Sequence, residues 1–349
     1  MKILENIALA SLTTLGIGGS ARWFVEATSE AEIADACLWA REQGVPLFVL
    51  GGGSNVLVAD KGFEGLALHV AIRHAEPGGM ELEDGLLRAA AGTPWDDCIE
   101  QALRANCAGL ECLAGIPGTV GGTPVQNVGA YGQEVASVIV RVRAFDRAAQ
   151  EFVEFANAEC GFAYRRSRFN STDRGRFVVT RVDYRLRRNG APTLTHAELK
   201  AHFSNWKAVP TLAEVAEAVR GIRRSKGMLL VEGDPDCRSA GSFFKNPPVT
   251  AEVAERVRQI AADSGVAMRV FPAEGGMVKI PAAWLIEQAG FRKGFALGAA
   301  GISSRHTLAL VNRGGATAAE ILALAEKIRT RVEERFGIWL EMEPEMVGF

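Results

Sequence analysis

The sequence lacks an excess of charge of either sign, because its 39 basic residues nearly balance 41 acidic ones. A net charge of −2 gives no reason to expect a nucleic acid or an anionic membrane as a partner. The chain also lacks an apolar run of the length that spans a bilayer, and residues 1–6 lack the basic and then apolar pattern of a secretory signal. We therefore expect a cytoplasmic protein without a membrane partner.

Cysteine and histidine are scarce, with six and five residues among 349. The cysteines form no C-x-x-C pair and show no metal-ligand spacing, so we expect free thiols in a reducing compartment and no bound metal. Four histidines have no partner pattern, and we expect them to be structural or at the surface. They are His69, His74, His202 and His306.

The usual nucleotide-binding fingerprints are missing as well. No G-x-x-x-x-G-K motif occurs, and the G-x-G-G of residues 16–19 fits a Rossmann fingerprint poorly, because a strand pattern rather than a helix follows it. With 48% hydrophobic and 23% charged residues, the composition is nevertheless typical of a globular enzyme. The length of 349 residues indicates two or three domains.

The sequence does contain two stretches that are rich in glycine. Residues 115–132 hold six glycines and two prolines, and residues 50–58 show three successive glycines between two apolar runs. Glycine lets the backbone approach a ligand closely and adopt positive φ, and the exposed N–H groups of such a loop can surround a pyrophosphate. A long surface loop would explain the first stretch alone, but two such stretches in one chain favour a dinucleotide cofactor.

Capping motifs and periodicity predict the helices and strands. Capping boxes at Ser29, Thr211 and Thr317 predict helices that end near residues 44, 225 and 336. Thr93 is expected to cap a helix that has Pro94 at its first position and ends near residue 106. Two other helices are predicted at residues 251–264 and 282–289, and strands at residues 46–50, 56–59, 66–70, 86–91, 135–146, 151–155, 177–186 and 337–345.

Six motifs occur in order along nearly the whole chain. They are Gly51-Gly-Gly-Ser-Asn-Val-Leu-Val58, Gly115-Ile-Pro-Gly-Thr-Val-Gly-Gly122, Gln126-Asn-Val-Gly-Ala-Tyr-Gly132, Tyr164-Arg165, Ser239-Ala-Gly-Ser-Phe-Phe-Lys-Asn-Pro247 and Glu343-Pro-Glu345. In this order the motifs resemble those of the UDP-N-acetylenolpyruvoylglucosamine reductase family. Members of that family are flavoenzymes that make UDP-N-acetylmuramic acid for peptidoglycan.

The resemblance implies an α+β protein with an FAD-binding fold of the vanillyl-alcohol-oxidase (PCMH) type in two subdomains, followed by a C-terminal α/β substrate-binding domain. The FAD-binding subdomains are expected at residues 1–70 and 71–210. The substrate-binding domain is expected at residues 211–337, and residues 338–349 are expected to form a strand that returns to the active site.

The resemblance also implies the ligands. FAD is expected without a covalent link, because neither glycine stretch contains a histidine. NADPH is expected as the co-substrate that reduces the flavin and leaves before the sugar nucleotide binds. The substrate would be UDP-N-acetylglucosamine enolpyruvate, and the protein is expected to be a monomer.

Three catalytic residues are carried over from the family motifs. The implied reaction reduces an enolpyruvyl ether to a lactyl ether, with the hydride supplied by flavin N5. Arg165 would grip the substrate carboxylate by a two-pronged contact. Ser242 would donate the proton, and Glu345 would act beside the developing enolate as a protonated or proton-sharing acid.

The remaining site residues are carried over in the same way. Cofactor contacts are expected at Gly51, Gly52, Gly53, Ser54, Asn55, Ile116, Pro117, Gly118, Gly121, Gly122, Gln126, Asn127, Gly129 and Ala130. Substrate contacts are expected at Tyr131, Tyr164, Arg223, Lys226, Asn246 and His196, the last in place of a loop tyrosine that some members carry. Arg223 equally fits a solvated cation at a helix end, and for Arg166 and Arg168 a surface role is favoured.

Two other functions remain open at this point. Another FAD-dependent oxidoreductase, such as a sugar or alcohol oxidase, would use the same fold, although an oxidase has no need of a proton donor such as Ser242 opposite the flavin. A non-catalytic module that binds flavin or a sugar nucleotide would also account for the glycine stretches.

Overall fold

The computed structural model describes residues 1–73, 81–262 and 265–349. His74 and the last two positions of the helix predicted at residues 251–264 lie outside the described residues. The chain folds into two compact units. The first consists of Met1–Ala8, Ser20–Gly53 and Phe63–Arg224, and the second of Leu9–Gly19, Ser54–Gly62 and Ser225–Phe349. The division into four parts that we expect from the sequence stays a prediction.

The secondary structure mixes helices and strands throughout. The α-helices are α1 Glu30–Glu42, α2 Trp95–Arg104, α3 Ala197–His202, α4 Leu212–Ser225, α5 Ala251–Ala261, α6 Ala282–Gln288 and α7 Ala318–Phe336. The strands are β1 Leu4–Ala8, β2 Ser20–Ala27, β3 Leu47–Leu50, β4 Val56–Val58, β5 Phe63–Val70, β6 Glu81–Glu83, β7 Leu86–Ala90, β8 Cys107–Ala108, β9 Gly129–Ala130, β10 Gln133–Glu134, β11 Ile139–Asp146, β12 Glu151–Ala156, β13 Phe177–Arg185, β14 Arg187–Arg188, β15 Ser239–Ser242, β16 Pro248–Val249, β17 Phe271–Pro272, β18 Val278–Lys279, β19 Ala296–Leu297, β20 Ala300–Ile302, β21 Ala309–Asn312 and β22 Glu345–Val347.

The first unit is built on two larger sheets. One has the order β1-β2-β5-β3, in which β2, β5 and β3 run parallel, and the other is the antiparallel sheet β12-β11-β13-β7-β6. Helix α1 buries Ile33 and Ala40, and these side chains share one apolar core with Leu68 of β5 and Val142 of β11. The two sheets and α1 therefore share one core.

The second unit centres on the antiparallel sheet β15-β21-β20-β19 and on helix α7. Helix α7 buries Ile321, Leu324 and Ile328 in an apolar core that also contains Phe243 and Phe244. Strand β22 pairs in parallel with β4, so the end of the chain lies beside residues 56–58. None of the helices in the described ranges is long and apolar enough to cross a membrane.

The predicted capping boxes at Thr211 and Thr317 are confirmed. Ser29 caps α1 as predicted, but the reciprocal bond of the box is absent because the Glu32 carboxylate accepts from the Thr28 N–H. The hydroxyl of Ser29 accepts from the Glu32 N–H at the start of α1, and Thr317 and Glu320 cap each other at the start of α7. The expected free cysteines are confirmed too, and all six are buried. Burial raises the pKa of Cys37 to about 11, which keeps that thiol protonated at neutral pH.

The predicted cap of α2 is wrong. Thr93 does not cap the helix, and its buried hydroxyl has no hydrogen-bond partner among the described residues. The N–H of Thr93 donates to the Ala90 carbonyl and its own carbonyl accepts from the Val120 N–H, so residue 93 is held in the turn before the helix.

The predicted C-terminal strand is displaced along the chain. The pattern predicts a strand at residues 337–345, but β22 spans Glu345–Val347. Pro344 has no N–H to donate to a neighbouring strand, and before it only the isolated bridge between Phe244 and Met342 forms. Strand β11 likewise begins at Ile139 rather than at residue 135, because Val135–Ser137 form a turn of 3-10 helix.

Candidate active site

The two glycine stretches meet in the first unit. A β-carbon built at Gly52 would lie 2.7 Å from the Cα atom of Gly118, and one at Gly51 would lie 3.0 Å from Thr119 Oγ1. The first distance is shorter than any real side chain tolerates, so this approach of the two backbones requires glycine. Residues 51–52 and 118–119 therefore form one continuous backbone surface.

The end of this surface is close-packed on one side and open on the other. A β-carbon at Gly121 would lie 2.7 Å from the β-carbon of Ala91, whereas one at Gly122 would meet nothing within 4 Å. Gly122 is exposed. Bare backbone beside open space is what a pyrophosphate-binding loop needs, so these residues fit an FAD-binding site.

The start of the long glycine stretch is held from two sides. The Gly115 N–H donates to Asp96 Oδ1 at 2.9 Å, and the Gly115 carbonyl accepts from Arg223 Nε at 2.9 Å. Arg220 pairs with Asp96 and Glu100, which fixes the first of these contacts. Arg223 is only 9% exposed, and burial lowers the pKa of its guanidinium. The residue predicted to bind substrate thus also supports the glycine loop.

Asn127 supports the second half of the stretch. Its side-chain amide donates to Glu134 Oε2 and to the Ala163 carbonyl, and its Oδ1 accepts from the Ala136 N–H. The side chain is 1% exposed. Asn127, predicted as a cofactor contact, therefore joins the loop of residues 126–132 to the turn that carries Tyr164 and Arg165.

Arg165 lies at the tip of that turn. Ala163 and Arg166 exchange two backbone hydrogen bonds, so Tyr164 and Arg165 are the two residues between them. Arg165 Nη2 donates to the Gly129 carbonyl at 2.8 Å, and its guanidinium lies 5.3 Å from the centre of the Tyr164 ring. The structure thus brings Arg165 to the glycine loop.

Backbone conformation singles out two of the predicted site residues. Eight non-glycine residues in the described part of the chain have positive φ, and five of them are asparagine or aspartate, which tolerate it. The remaining three are Tyr131, Arg165 and Gln150. Strain of this kind is retained where the surrounding structure imposes it, commonly at functional sites.

Tyr131 packs against His196. The two rings meet edge to face with centroids 5.1 Å apart. Burial raises the pKa of Tyr131 to about 12, so its phenol stays protonated at neutral pH. His196 also caps helix α3, because its Nδ1 accepts from the Glu198 N–H at 3.4 Å. Both rings were predicted to contact substrate, and the structure places them side by side.

Ser242 ends β15 in the second unit, opposite Ala309 of β21. The next residue, Phe243, is fully buried; its N–H donates to the Leu308 carbonyl and its carbonyl accepts from the Glu343 N–H. These bonds fix the backbone that carries Ser242, whose side chain is half-buried. They also connect the Ser242 segment to the C-terminal segment of Glu345.

Glu345 is positioned by Asn55. The Glu345 N–H donates to the Asn55 carbonyl at 2.9 Å, and Asn55 Nδ2 donates to the Glu343 carbonyl at 3.2 Å. Asn55, predicted as a cofactor contact, therefore holds the backbone on both sides of Pro344. The Glu345 side chain is exposed.

The other predicted residues divide between the units. Asn246 Oδ1 accepts from the Ala282 N–H at the start of α6, and Lys226 is half-buried just beyond α4. The predicted residues of the first unit are Gly51, Gly52, Gly53, Ile116, Pro117, Gly118, Gly121, Gly122, Gln126, Asn127, Gly129, Ala130, Tyr131, Tyr164, Arg165, His196 and Arg223. Those of the second unit are Ser54, Asn55, Lys226, Ser242, Asn246 and Glu345.

Sequence reasoning missed the acids that hold these loops. Asp96 and Glu111 both accept hydrogen bonds from backbone N–H groups beside the long glycine stretch. Asp96 is indistinguishable in sequence from an ordinary acid in the first turn of a helix. For Glu111, the signal available is a lone acid within an apolar run that precedes the stretch.

Comparison with known proteins gives two family matches. Residues 21–155 match the profile of an FAD binding domain, and residues 234–347 match that of the UDP-N-acetylenolpyruvoylglucosamine reductase C-terminal domain. The expected α+β architecture is thereby confirmed: an FAD-binding domain of the PCMH type is combined with the C-terminal domain of these reductases.

Whole-length relatives agree with both matches. The chain is 46% identical to UDP-N-acetylenolpyruvoylglucosamine reductase of Streptomyces coelicolor, over 99% of this chain and 90% of the relative. It is 45% identical to the enzyme of the same name from Thermobifida fusca, over 99% and 98% of the two chains. A solved structure of the reductase from Thermus caldophilus matches with a TM-score of 0.67 at 27% identity, over 99% of both chains.

Proposed function

Because this chain belongs to the UDP-N-acetylenolpyruvoylglucosamine reductase family and is an FAD-dependent oxidoreductase, we propose the reaction that it catalyses. It reduces UDP-N-acetylglucosamine enolpyruvate to UDP-N-acetylmuramate, and NADPH is the reductant. The net change adds a hydride to the terminal methylene carbon of the enolpyruvyl group and a proton to the adjacent carbon. The product would be a precursor of peptidoglycan.

The glycine loops would hold the cofactor. Bound FAD would supply the redox chemistry, by accepting a hydride from NADPH and delivering it to the enolpyruvyl group. The joined backbones of Gly52 and Gly118, with open space at Gly122, support this assignment. The bonds from Asp96 and Arg223 to Gly115 keep the loop ordered before the cofactor binds.

Arg165 would stabilise the charge that develops on the substrate. Addition of hydride to the methylene carbon moves negative charge onto the neighbouring carbon and into the carboxylate. A guanidinium stays ionised and matches a planar carboxylate with two parallel hydrogen bonds. The bond of Arg165 to the Gly129 carbonyl and its place at the tip of a tight turn preorganise the side chain, so little reorganisation is needed as the charge forms.

Ser242 would donate the proton. A serine hydroxyl is a weak acid, but a carbanion-like centre is a much stronger base than water, so transfer is feasible when the hydroxyl is held at the reacting face. The two backbone bonds of Phe243 supply that rigidity. Solvent or a neighbouring group would then return the proton to the serine oxygen.

Glu345 and the remaining polar residues would complete the site. Glu345 would act beside the enolate oxygen, and Asn55 keeps its backbone in register. Lys226, Arg223 and Asn246 would contact the diphosphate end of the substrate, and Tyr131, Tyr164 and His196 its sugar or nucleoside.

The observation that carries the proposal is the similarity to UDP-N-acetylenolpyruvoylglucosamine reductase over 99% of the chain. The test is product identification: the FAD-loaded protein is incubated with NADPH and the enolpyruvyl sugar nucleotide, and the product is analysed by mass spectrometry. We expect a mass gain of two hydrogens on the sugar nucleotide and equimolar NADPH oxidation. NADPH oxidation that consumes oxygen and leaves the sugar nucleotide unchanged would instead indicate an oxidase.

A further inference from the structure

Glu111 is a buried carboxylate that no part of the proposed chemistry uses. It is 1% exposed and lies just before the long glycine stretch. Its Oε2 accepts from the Gly109 N–H at 2.7 Å, and its Oε1 accepts from the Thr193 N–H and from Gln133 Nε2, each at 2.8 Å. These three donors come from segments that are far apart in the sequence but meet at this one side chain.

Thr193 is the residue that this cluster fixes most completely. Besides its N–H bond to Glu111, its Oγ1 accepts from Gln133 Nε2 at 3.0 Å, and its carbonyl accepts from the Cys112 thiol at 3.2 Å. Gln133 is itself held, because its Oε1 accepts from the Cys112 N–H. All the polar groups of Thr193 are therefore engaged beside the glycine stretch.

The anchored residue begins a segment that contacts the long glycine stretch. A β-carbon built at Gly132 would lie 2.0 Å from Thr195 Oγ1, so residue 195 lies directly on the loop backbone. His196, the next residue, meets the Tyr131 ring edge to face. Displacement of Thr193 would therefore move His196 away from Tyr131.

We propose that Glu111 is a positioning residue, which acts through Thr193 and Gln133 to hold His196 against Tyr131. The two rings are then already in place to contact the sugar nucleotide when it binds. This inference rests on the proposed function, which assigns the two rings to substrate. Each described partner of Glu111 is an N–H of a neutral group, and together they use both carboxylate oxygens as acceptors. A glutamine side chain at position 111 could not accept all of these hydrogen bonds.

The direct test is the variant Glu111→Gln. The glutamine side chain has a single acceptor oxygen, so its NH2 group must face either the Gly109 N–H or the pair of donors on Thr193 and Gln133. We expect KM for the enolpyruvyl sugar nucleotide to rise about tenfold, as for one lost hydrogen bond to a buried group, while kcat at saturation changes less than twofold. FAD content should stay as in the wild type, because Asp96 and Arg223 hold Gly115 separately.

Hydrogen exchange of the peptide that covers residues 190–200 gives a readout independent of turnover. It should exchange faster in Glu111→Gln than in the wild type, because one amide oxygen cannot accept from Gly109, Thr193 and Gln133 together, so the cluster that holds Thr193 is weakened in either orientation of the amide. The matched control is Asp146→Asn, another buried carboxylate of the same unit that accepts from backbone N–H groups, at Ala148 and Ala149. This control should leave both the exchange of residues 190–200 and KM unchanged.

Thr193→Val serves if Glu111→Gln does not fold. Valine keeps the shape and the N–H bond to Glu111 but removes the bond to Gln133, so a smaller rise in KM, about threefold, is expected. Unchanged exchange of residues 190–200 in Glu111→Gln, or an unchanged KM in both variants, would overturn the proposal. A wild-type protein that does not reduce the sugar nucleotide refutes the proposed function instead, and the exchange comparison still decides whether Glu111 anchors the segment.

Discussion

At the residue scale, Arg165 and Tyr131 combine a predicted role with an unfavourable backbone conformation. Sequence motifs predict both as site residues, but no pattern predicts their φ values of 54° and 48°. Arg165 is the second of the two residues in the turn that Ala163 and Arg166 close, and its side chain donates to the Gly129 carbonyl, which is distant in sequence. The identities of these residues could therefore be predicted, and their conformations could not.

Removal of the Arg165 guanidinium should abolish most of the substrate reaction. We expect Arg165→Ala to slow reoxidation of the reduced flavin by the sugar nucleotide by roughly 10²–10³-fold, the range for loss of a charged group that stabilises a developing anion. Stopped-flow absorbance measures this rate. Arg166→Ala removes the exposed neighbouring guanidinium and should retain the wild-type rate. Equal rates for the wild type and Arg165→Ala would contradict the assigned role.

The backbone strain at Arg165 should appear in stability. Arg165→Gly and Arg165→Ala lack the same guanidinium, but glycine accepts φ of 54° at no steric cost whereas alanine does not. The glycine variant should therefore be more stable than the alanine variant by about 1 kcal/mol. Urea denaturation of the two variants provides the comparison, and a more stable alanine variant would show that the turn relaxes to negative φ.

At the element scale, local capping signals were sufficient for α1, α4 and α7 but not for α2. The side chains of Ser29, Thr211 and Thr317 cap as predicted, because each accepts from the N–H of a residue only three positions further on. Thr93 fails because its backbone is engaged by Ala90 and Val120, a contact that the local sequence does not encode. Strands β20 and β21 were not predicted, since short buried strands lack alternation of polar and apolar residues.

Helix α7 has a second cap that is 258 residues distant from it in sequence. Asp60 accepts from the Ala318 N–H at 2.7 Å and from the Ala319 N–H at 3.0 Å. Asp60→Ala should lower the free energy of unfolding by about 1 kcal/mol, as for other lost N-terminal caps. Chemical denaturation followed by circular dichroism measures this, with Lys61→Ala, an exposed neighbour, as the control. No difference between the two variants would refute the capping contribution.

The ion pair between Asp234 and Arg305 should make the stability of the folded protein depend on pH. A hydrogen bond from Arg305 lowers the pKa of Asp234 below its ordinary value of 3.8. Asp234 therefore binds a proton more readily in the unfolded chain than in the folded protein. The ion pair with Arg305 stabilises the fold at pH values above the ordinary pKa of Asp234, and this stabilisation is lost as the pH falls through the folded-state pKa.

Asp234→Asn isolates this effect, because asparagine also caps the turn at residue 236 but forms no ion pair. The difference in melting temperature between the wild type and Asp234→Asn should be largest near pH 7 and should shrink below pH 3.8. A difference that is constant from neutral to acid pH would mean that the ion pair does not contribute.

At the scale of the whole molecule, the family motifs predict which domains the chain contains and the order in which they occur. The FAD-binding and C-terminal domains occur as expected. Residues 9–19 and 54–62, however, fold with the second unit. The parallel pairing of β4 with β22 joins segments that are far apart in the sequence, and such long-range pairing leaves no signature in either segment alone. Glu345 lies in β22, so its position in the candidate site depends on this long-range pairing.

The proposed reaction takes a hydride from NADPH and delivers it to an enolpyruvyl sugar nucleotide, with Ser242 supplying the proton. The most direct measurement is anaerobic flavin absorbance through both half-reactions in the wild type and in Ser242→Ala. We predict that NADPH bleaches both proteins and that the sugar nucleotide restores the colour of the wild type, but restores that of Ser242→Ala more slowly by roughly 10²-fold or more. A wild-type protein that NADPH bleaches but the sugar nucleotide does not reoxidise would contradict the account.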